Sequence, residues 1–158
     1  MSRSRLSIIR DRTVEHARFD ITRVVGGDVR PLELNGTSAY LLVQQKVDVD
    51  VERRRCLTVA YTYRYQADER PGSWLFRWEF LRKRPRPDYT YPLAHFHVNG
   101  SLIDGRTLAH VHFPTRRLPL ELVLWDLIVE WNVKPLDPRW QETLIESIKG
   151  FEERQTVA

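Results

Sequence analysis

The sequence predicts an α+β fold, an antiparallel β-sheet of about five strands with two C-terminal α-helices packed on one face. Two patterns point to it. From Ala39 to Phe113 apolar and polar residues alternate in runs rich in Val, Tyr, Thr and Phe, the period of half-buried strands. From Pro119 onward the apolar residues recur every three or four positions, the period of an amphipathic helix. A chain of 158 residues, 42% of them apolar, has the size of one domain with one core, so residues 1–158 read as a single domain.

Residues 1–36 are ambiguous between helix and strand, and "GGD" at 26–28 marks a turn. The sheet region, 39–113, begins with "AYLLVQQKVDVDV" and continues with "RCLTVAYTYRYQ", where alternation puts Leu57, Val59, Tyr61, Tyr63 and Tyr65 on one face. "ERPG" makes a turn into "SWLFRWEFLRK", which carries Trp74, Phe76, Trp78 and Phe80 on one side and Leu75, Arg77, Glu79 and Leu81 on the other. "RKRPRPDYTYP" follows; its prolines exclude a central strand, and Arg82, Lys83, Arg84 and Arg86 make it an exposed basic loop. The helical region, 119–153, holds two helices. The first buries Leu120, Val123, Leu124, Leu127, Ile128 and Trp131, starts at Pro119 and is closed by Asn132 and Pro135. Asp137 is the N-cap candidate of the second, whose stripe is Trp140, Leu144, Ile145 and Ile148, with Gly150 ending it or tolerated inside. Asp126 and Glu130, four apart on the first helix, read as its solvated face.

Charge is unevenly spread. Residues 1–118 carry 21 Lys+Arg against 13 Asp+Glu, or +8, and residues 119–158 carry 4 against 8, or −4, which together give the formal +4. Of the 25 basic residues 21 are Arg, the side chain best suited to bidentate phosphate contacts, so RNA is a candidate partner. The lone cysteine, Cys56, excludes an internal disulfide and reads as a buried or half-buried thiol in a reducing cytoplasm. No apolar run approaches the length that spans a bilayer, so a soluble cytoplasmic protein without a membrane partner is expected.

Four of the five histidines lie in "HFHVNGSLIDGRTLAHVH", residues 95–112, as two His-x-His pairs about a turn. Parity puts His95 with His97, and His110 with His112, while Ala94, Phe96, Val98, Ala109, Val111 and Phe113 take the opposite, core-facing side. A two-residue turn at Asp104-Gly105 sets His97 opposite His112 and Asn99 opposite His110, leaving all four imidazoles on one exposed surface. An odd-length loop would instead bury the second pair.

Such a surface suits acid–base chemistry. Imidazoles titrate near neutral pH, so His95, His97, His110 and His112 are the candidate catalytic groups for in-line cleavage of RNA without a cofactor. Arg106, Arg116 and Arg117, with the basic loop, are the candidate phosphate-binding residues. Three of the imidazoles binding Zn²⁺ or another divalent transition ion is the alternative, because His-x-His on a strand is a recurrent ligand spacing. The surface also reads as polar outward positions held by cross-strand contacts. The Glu that a cupin needs beyond its first His-x-His is missing, as are the 2H phosphoesterase repeats, His-Glu-x-x-His, a Gly-rich phosphate loop and a nucleophile elbow.

The runs "HFHV" and "HVHFPTRRLPLELVLWDLIVEW" resemble the TumE-like family of bacterial toxin–antitoxin proteins, over residues 94–131, about a quarter of the chain. The resemblance implies a small, toxin-like protein acting on RNA and paired with an antitoxin protein, with His95, His97, His110 and His112 as its site. Two functional classes therefore stand: an RNA-directed nuclease using the histidine face, and a non-catalytic binding or assembly domain with incidental outward histidines, for which a homo-oligomer is a candidate form.

Overall fold

A computed structural model describes residues 5–10, 16–25, 28–50 and 55–156, with side chains described over 30–49, 56–151 and at 153. The turn expected at "GGD" falls mostly outside the described residues. Two compact units emerge: residues 1–33 with 39–116, and residues 34–38 with 117–158. The first is the sheet and the second the helices, an α+β composition as read from the alternation of periods.

Among the described residues the sheet has nine strands, more than the about five expected, because the ambiguous N-terminal region is also β. Strands β1 (Arg5–Arg10), β2 (His16–Val25), β5 (Tyr40–Asp50), β6 (Arg55–Gln66), β7 (Trp74–Leu81), β8 (Ala94–Val98) and β9 (Phe113–Pro114) form an antiparallel path in the order β1-β2-β5-β6-β7-β8-β9. Two short strands join from the side, β3 (Asp28–Arg30) on β2 and β4 (Leu32–Glu33) on β5.

The registers say which residues share a face. Tyr63 pairs with Val43 and Trp78, and Trp78 with Phe96, so one face runs Val43, Tyr63, Trp78, Phe96 and then Phe113 of β9. Its deepest part is on β5 and β6, where Leu41, Val43, Tyr61, Tyr63 and Tyr65 are buried and the Tyr61 and Tyr63 rings stack at 4.3 Å. Each such side chain stabilises the fold by about 1.5–3 kcal/mol. Where the face turns polar, it is internally satisfied: the Tyr63 hydroxyl donates to Gln45 Oε1 at 2.8 Å, and Gln45 Nε2 donates to Thr58 Oγ1 at 3.2 Å.

A bulge corrects the face expected for β6. Lys46 pairs with Ala60 but Val47 with Thr58, so Val59 is an extra residue and the alternation shifts by one. Thr58 is therefore buried and Leu57 is 42% exposed. Cys56, just beyond the shift, is exposed rather than buried.

The second unit holds α1 (Leu120–Val129) and α2 (Trp140–Thr156). Val123 and Leu127 are buried, whereas Trp131, expected in the apolar stripe, lies beyond the end of α1 and is 41% exposed. Asn132 adopts a left-handed φ of 57°, and the Val133 N–H donates back to the Leu127 carbonyl, which closes α1 as the Asn signal predicts. Asp137 Oδ1 accepts the Arg139 N–H at 2.8 Å ahead of α2, and Gly150 lies inside that helix. The helices meet at Trp125 and Trp140, with rings 5.1 Å apart, and with Leu34 they line an open apolar pocket of about 280 Å³. No helix among the described residues is long and apolar enough to cross a membrane.

Candidate functional site

The histidines sit at the far end of the sheet path. At the base of the hairpin His95 pairs with Pro114 and Phe96 with Phe113, and this register carried one step further sets His97 opposite His112, as the Asp104-Gly105 turn predicts. The tip is built differently. The Gly105 N–H donates to the Leu102 carbonyl and the Leu102 N–H to Arg106, enclosing a three-residue loop with Gly105 at a φ of 85°. Ser101 then bridges Thr107, one residue out of step with the base. A turn in which the Val111 N–H bonds the Leu108 carbonyl takes up the difference. That slip swings His110 into solvent and returns His112 to the face of His95 and His97. Three imidazoles converge, not four.

The second correction concerns burial. His95 is 3% exposed and His97 1%, so these side chains point inward; Phe96 and Val98 are half-buried, and Val111 and Phe113 are exposed at 39% and 38%. The loop before β8 lies against the imidazoles. His95 Nδ1 donates to the Pro92 carbonyl at 2.7 Å, Tyr91 stacks on His112 at 3.9 Å, and Asn99 Nδ2 donates to the Trp74 carbonyl at 2.8 Å. Alternation identified the shared face correctly. It could not say which face is covered, because the covered face here is lined by charged and polar groups.

Those groups come from β6 and β7. Arg64 pairs across the sheet with Arg77, and Arg77 with His97; Glu79 pairs with His95. Glu79 Oε2 is 3.3 Å from Nε2 of both His95 and His97 and 3.4 Å from Arg77 Nε. The ring centroids of His97 lie 4.9 Å from His95 and 4.4 Å from His112. One nitrogen from each of the three imidazoles falls within 4.8 Å of the others. The Arg77 guanidinium lies over the Trp74 ring at 4.8 Å.

Burial holds the His97 pKa down at about 4, assisted by the positive Arg77 and only partly opposed by Glu79. His112 is also shifted down, first by burial and then by His95, against a hydrogen bond to the His110 backbone that favours its charged form. Neither His97 ring nitrogen has a hydrogen-bond partner, although both are buried; Nε2 is close to Glu79 but poorly aligned for a bond. His95 has an acceptor at each ring nitrogen, the Pro92 carbonyl at Nδ1 and Glu79 Oε2 at Nε2, 3.3 Å away. The His97 ring, without a hydrogen-bond partner, thus lies among two further imidazoles and the Glu79 carboxylate.

The expected phosphate-binding residues are dispersed. Lys83, Arg84 and Arg86 are exposed, with Arg86 3.2 Å from Asp88, but Arg82 is engaged structurally, its Nε donating to the Thr58 carbonyl at 2.9 Å. Arg106 is tied to Asp104 at the hairpin tip, at 2.7 and 2.8 Å. Arg116 is exposed, and Arg117, in the helical unit, lies over the Phe151 ring at 4.7 Å. The basic residues that do face the histidines, Arg64 and Arg77, were not singled out by sequence reading. The available signal was the charge of Arg77 and Glu79 on an otherwise apolar strand.

No family model matches the chain, and neither the curated proteins nor the solved structures give a significant match to it. The functional reading therefore rests on the site's own geometry.

Proposed function

We propose that His95, His97 and His112 hold a divalent transition-metal ion beside Glu79, and that this ion is the working centre of the sheet unit. The observation that carries the reading is the buried His97 ring with both nitrogens unpartnered, inside a cluster of imidazoles and one carboxylate. A buried polar atom without a partner is costly, and a bound cation would give a His97 ring nitrogen the partner it lacks. Metal–ligand bonds of about 2.0–2.1 Å put the donors of a tetrahedral ion roughly 3.3–3.4 Å apart; the three imidazoles offer nitrogens within 4.8 Å of one another, so holding an ion would draw the rings together.

Imidazole donors suit Zn²⁺, Cu²⁺, Ni²⁺ or Fe²⁺, and a three-histidine set belongs to sites that keep a coordination position open for water or substrate. With an ion bound, Glu79 is placed to take a proton from whatever occupies that position, the arrangement of metal-assisted hydrolysis. A toxin-like, RNA-directed nuclease would draw on this centre more readily than on free imidazoles. A neutral His97 with a pKa near 4 is a weak base at neutral pH, and His110 stands apart. The near-complete burial of His95 and His97 also favours a second reading, in which the same ion only pins the His112 segment to β8.

Titrating Co²⁺ or Zn²⁺ into the metal-free protein tests both. One ion per chain is expected, with visible Co²⁺ absorption of a four- or five-coordinate site and a stabilisation of about 3 kcal/mol at a hundredfold excess over Kd. His97→Ala and His112→Asn should each lose it. Metal-dependent cleavage of single-stranded RNA that Glu79→Gln abolishes selects the catalytic reading; stabilisation without cleavage selects the structural one. No stoichiometric uptake, or equal uptake by the triple alanine variant, overturns both.

A further inference from the structure

We infer that Arg64 and Arg77 form a phosphate-binding subsite beside the histidine cluster, placed so that a phosphate oxygen held there reaches the proposed ion. The inference rests on the metal reading for that last contact only. Arg64, Arg77 and His97 lie in one row across three adjacent strands, on the face that also carries Glu79 and His95. Two guanidiniums directly opposite each other on neighbouring strands repel, and burial adds to the difficulty: the Arg64 pKa is lowered first by desolvation and then by Arg77.

Among the described residues, what stands against this repulsion is the carboxylate of Glu79, which is also the neighbour of two imidazoles. The Nε atoms of both arginines are buried without a hydrogen-bond partner. Two cationic side chains at paired positions on one face, with Glu79 as the ion-pair partner of Arg77 Nε at 3.4 Å, favour a further anion, and the planar guanidinium fork matches the oxygens of phosphate. Arg77 is held for the purpose by its stack on Trp74. Phosphate is favoured over a single carboxylate because two forks offer more donors than two carboxylate oxygens align with. An ion of charge +2 with two arginines and one glutamate also leaves a net +3 that a dianion offsets best.

Access agrees with this placement. His95 and His97 are buried, whereas the Arg77 and Glu79 side chains are 23% and 26% exposed and His112 is half-buried, so a ligand reaches the cluster past Arg77, Glu79 and His112.

The experiment is a titration of inorganic phosphate, and separately of a dinucleoside monophosphate, into the protein with and without one equivalent of Zn²⁺. Arg64→Gln and Arg77→Gln should each weaken binding of one or both probes at least tenfold, while Co²⁺ uptake and the far-ultraviolet circular dichroism stay as in the parent. Arg77→Lys, which keeps the charge but not the fork, should recover only part. Tighter binding of the diester makes nucleic acid the source of the phosphate; tighter binding of the inorganic ion makes it a monoester or free phosphate. Undiminished binding in both glutamine variants, or no binding of either probe to the parent, overturns the subsite. If the protein takes up no metal, the metal reading fails on its own, and the arginine variants still decide this inference in the metal-free protein.

Discussion

His97 concentrates the physics of the site in one side chain. It faces Arg77 and Glu79 from β7, His95 from its own strand and His112 from the return segment, and it is 1% exposed. Its neutral form is favoured in the folded protein down to about pH 4, whereas an unfolded histidine binds a proton near 6.5. Between those values the unfolded chain holds more protons, so the contribution of His97 to stability is complete above about pH 6.5 and is lost as pH falls through 4. His112, lowered in the same direction, adds to the loss. The metal-free protein should therefore lose roughly 1–3 kcal/mol from these groups between pH 7 and 4. His97→Gln, neutral throughout, should flatten the slope in urea unfolding at a series of pH values. An unchanged slope would mean that His97 is accessible to protons in the folded state.

At the scale of elements, two turns carry the geometry, and their glycines differ in a way that can be measured. Gly36 and Gly105 both take positive φ, 81° and 85°, which disfavours any Cβ by roughly 1 kcal/mol. At Gly105 an added Cβ meets nothing within 4 Å, whereas at Gly36 it falls 2.4 Å from Lys134 Cγ, where Asn35 bonds the Lys134 backbone through both its carbonyl and its side chain. Gly105→Ala should cost about 1 kcal/mol and Gly36→Ala clearly more, roughly 2 kcal/mol or above, by chemical denaturation. Equal costs would show that the 34–38 segment gives way freely. The same turns explain what the sequence discloses. Parity along "HFHV" and the apolar period of α1 and α2 depend only on neighbouring residues, and both are legible. The three-residue tip at Gly105 and the compensating turn at Leu108–Val111 are a choice among loops of similar stability, so the exclusion of His110 is not. Nor is the approach of Glu79, which depends on pairing β7 with β8 across a loop of twelve residues, 82–93.

For the molecule as a whole, the basic excess of residues 1–118 acquires a location. The loop between β7 and β8 presents Lys83, Arg84 and Arg86 to solvent and also carries Tyr91 and Pro92 onto the histidine cluster, so an exposed basic stretch borders the proposed centre. Arg82 does not belong with them, since its Nε holds the Thr58 carbonyl. If single-stranded RNA is the partner, its phosphates displace counterions from this loop, and log K falls with log salt by about 0.7 for each phosphate neutralised. Replacing Lys83, Arg84 and Arg86 together by alanine should reduce the salt slope by about 2 and weaken binding across all sequences alike, because such contacts position a strand without reading its bases. Arg82→Ala should instead lower stability, with the slope unchanged. Metal uptake in the triple variant should match the parent, because none of the three touches the imidazoles. A parent that binds RNA with no salt dependence, or a triple variant whose slope equals the parent's, would assign the loop's charge to solvation and leave Arg64 and Arg77, among the described residues, as the basic pair with a claim on the site.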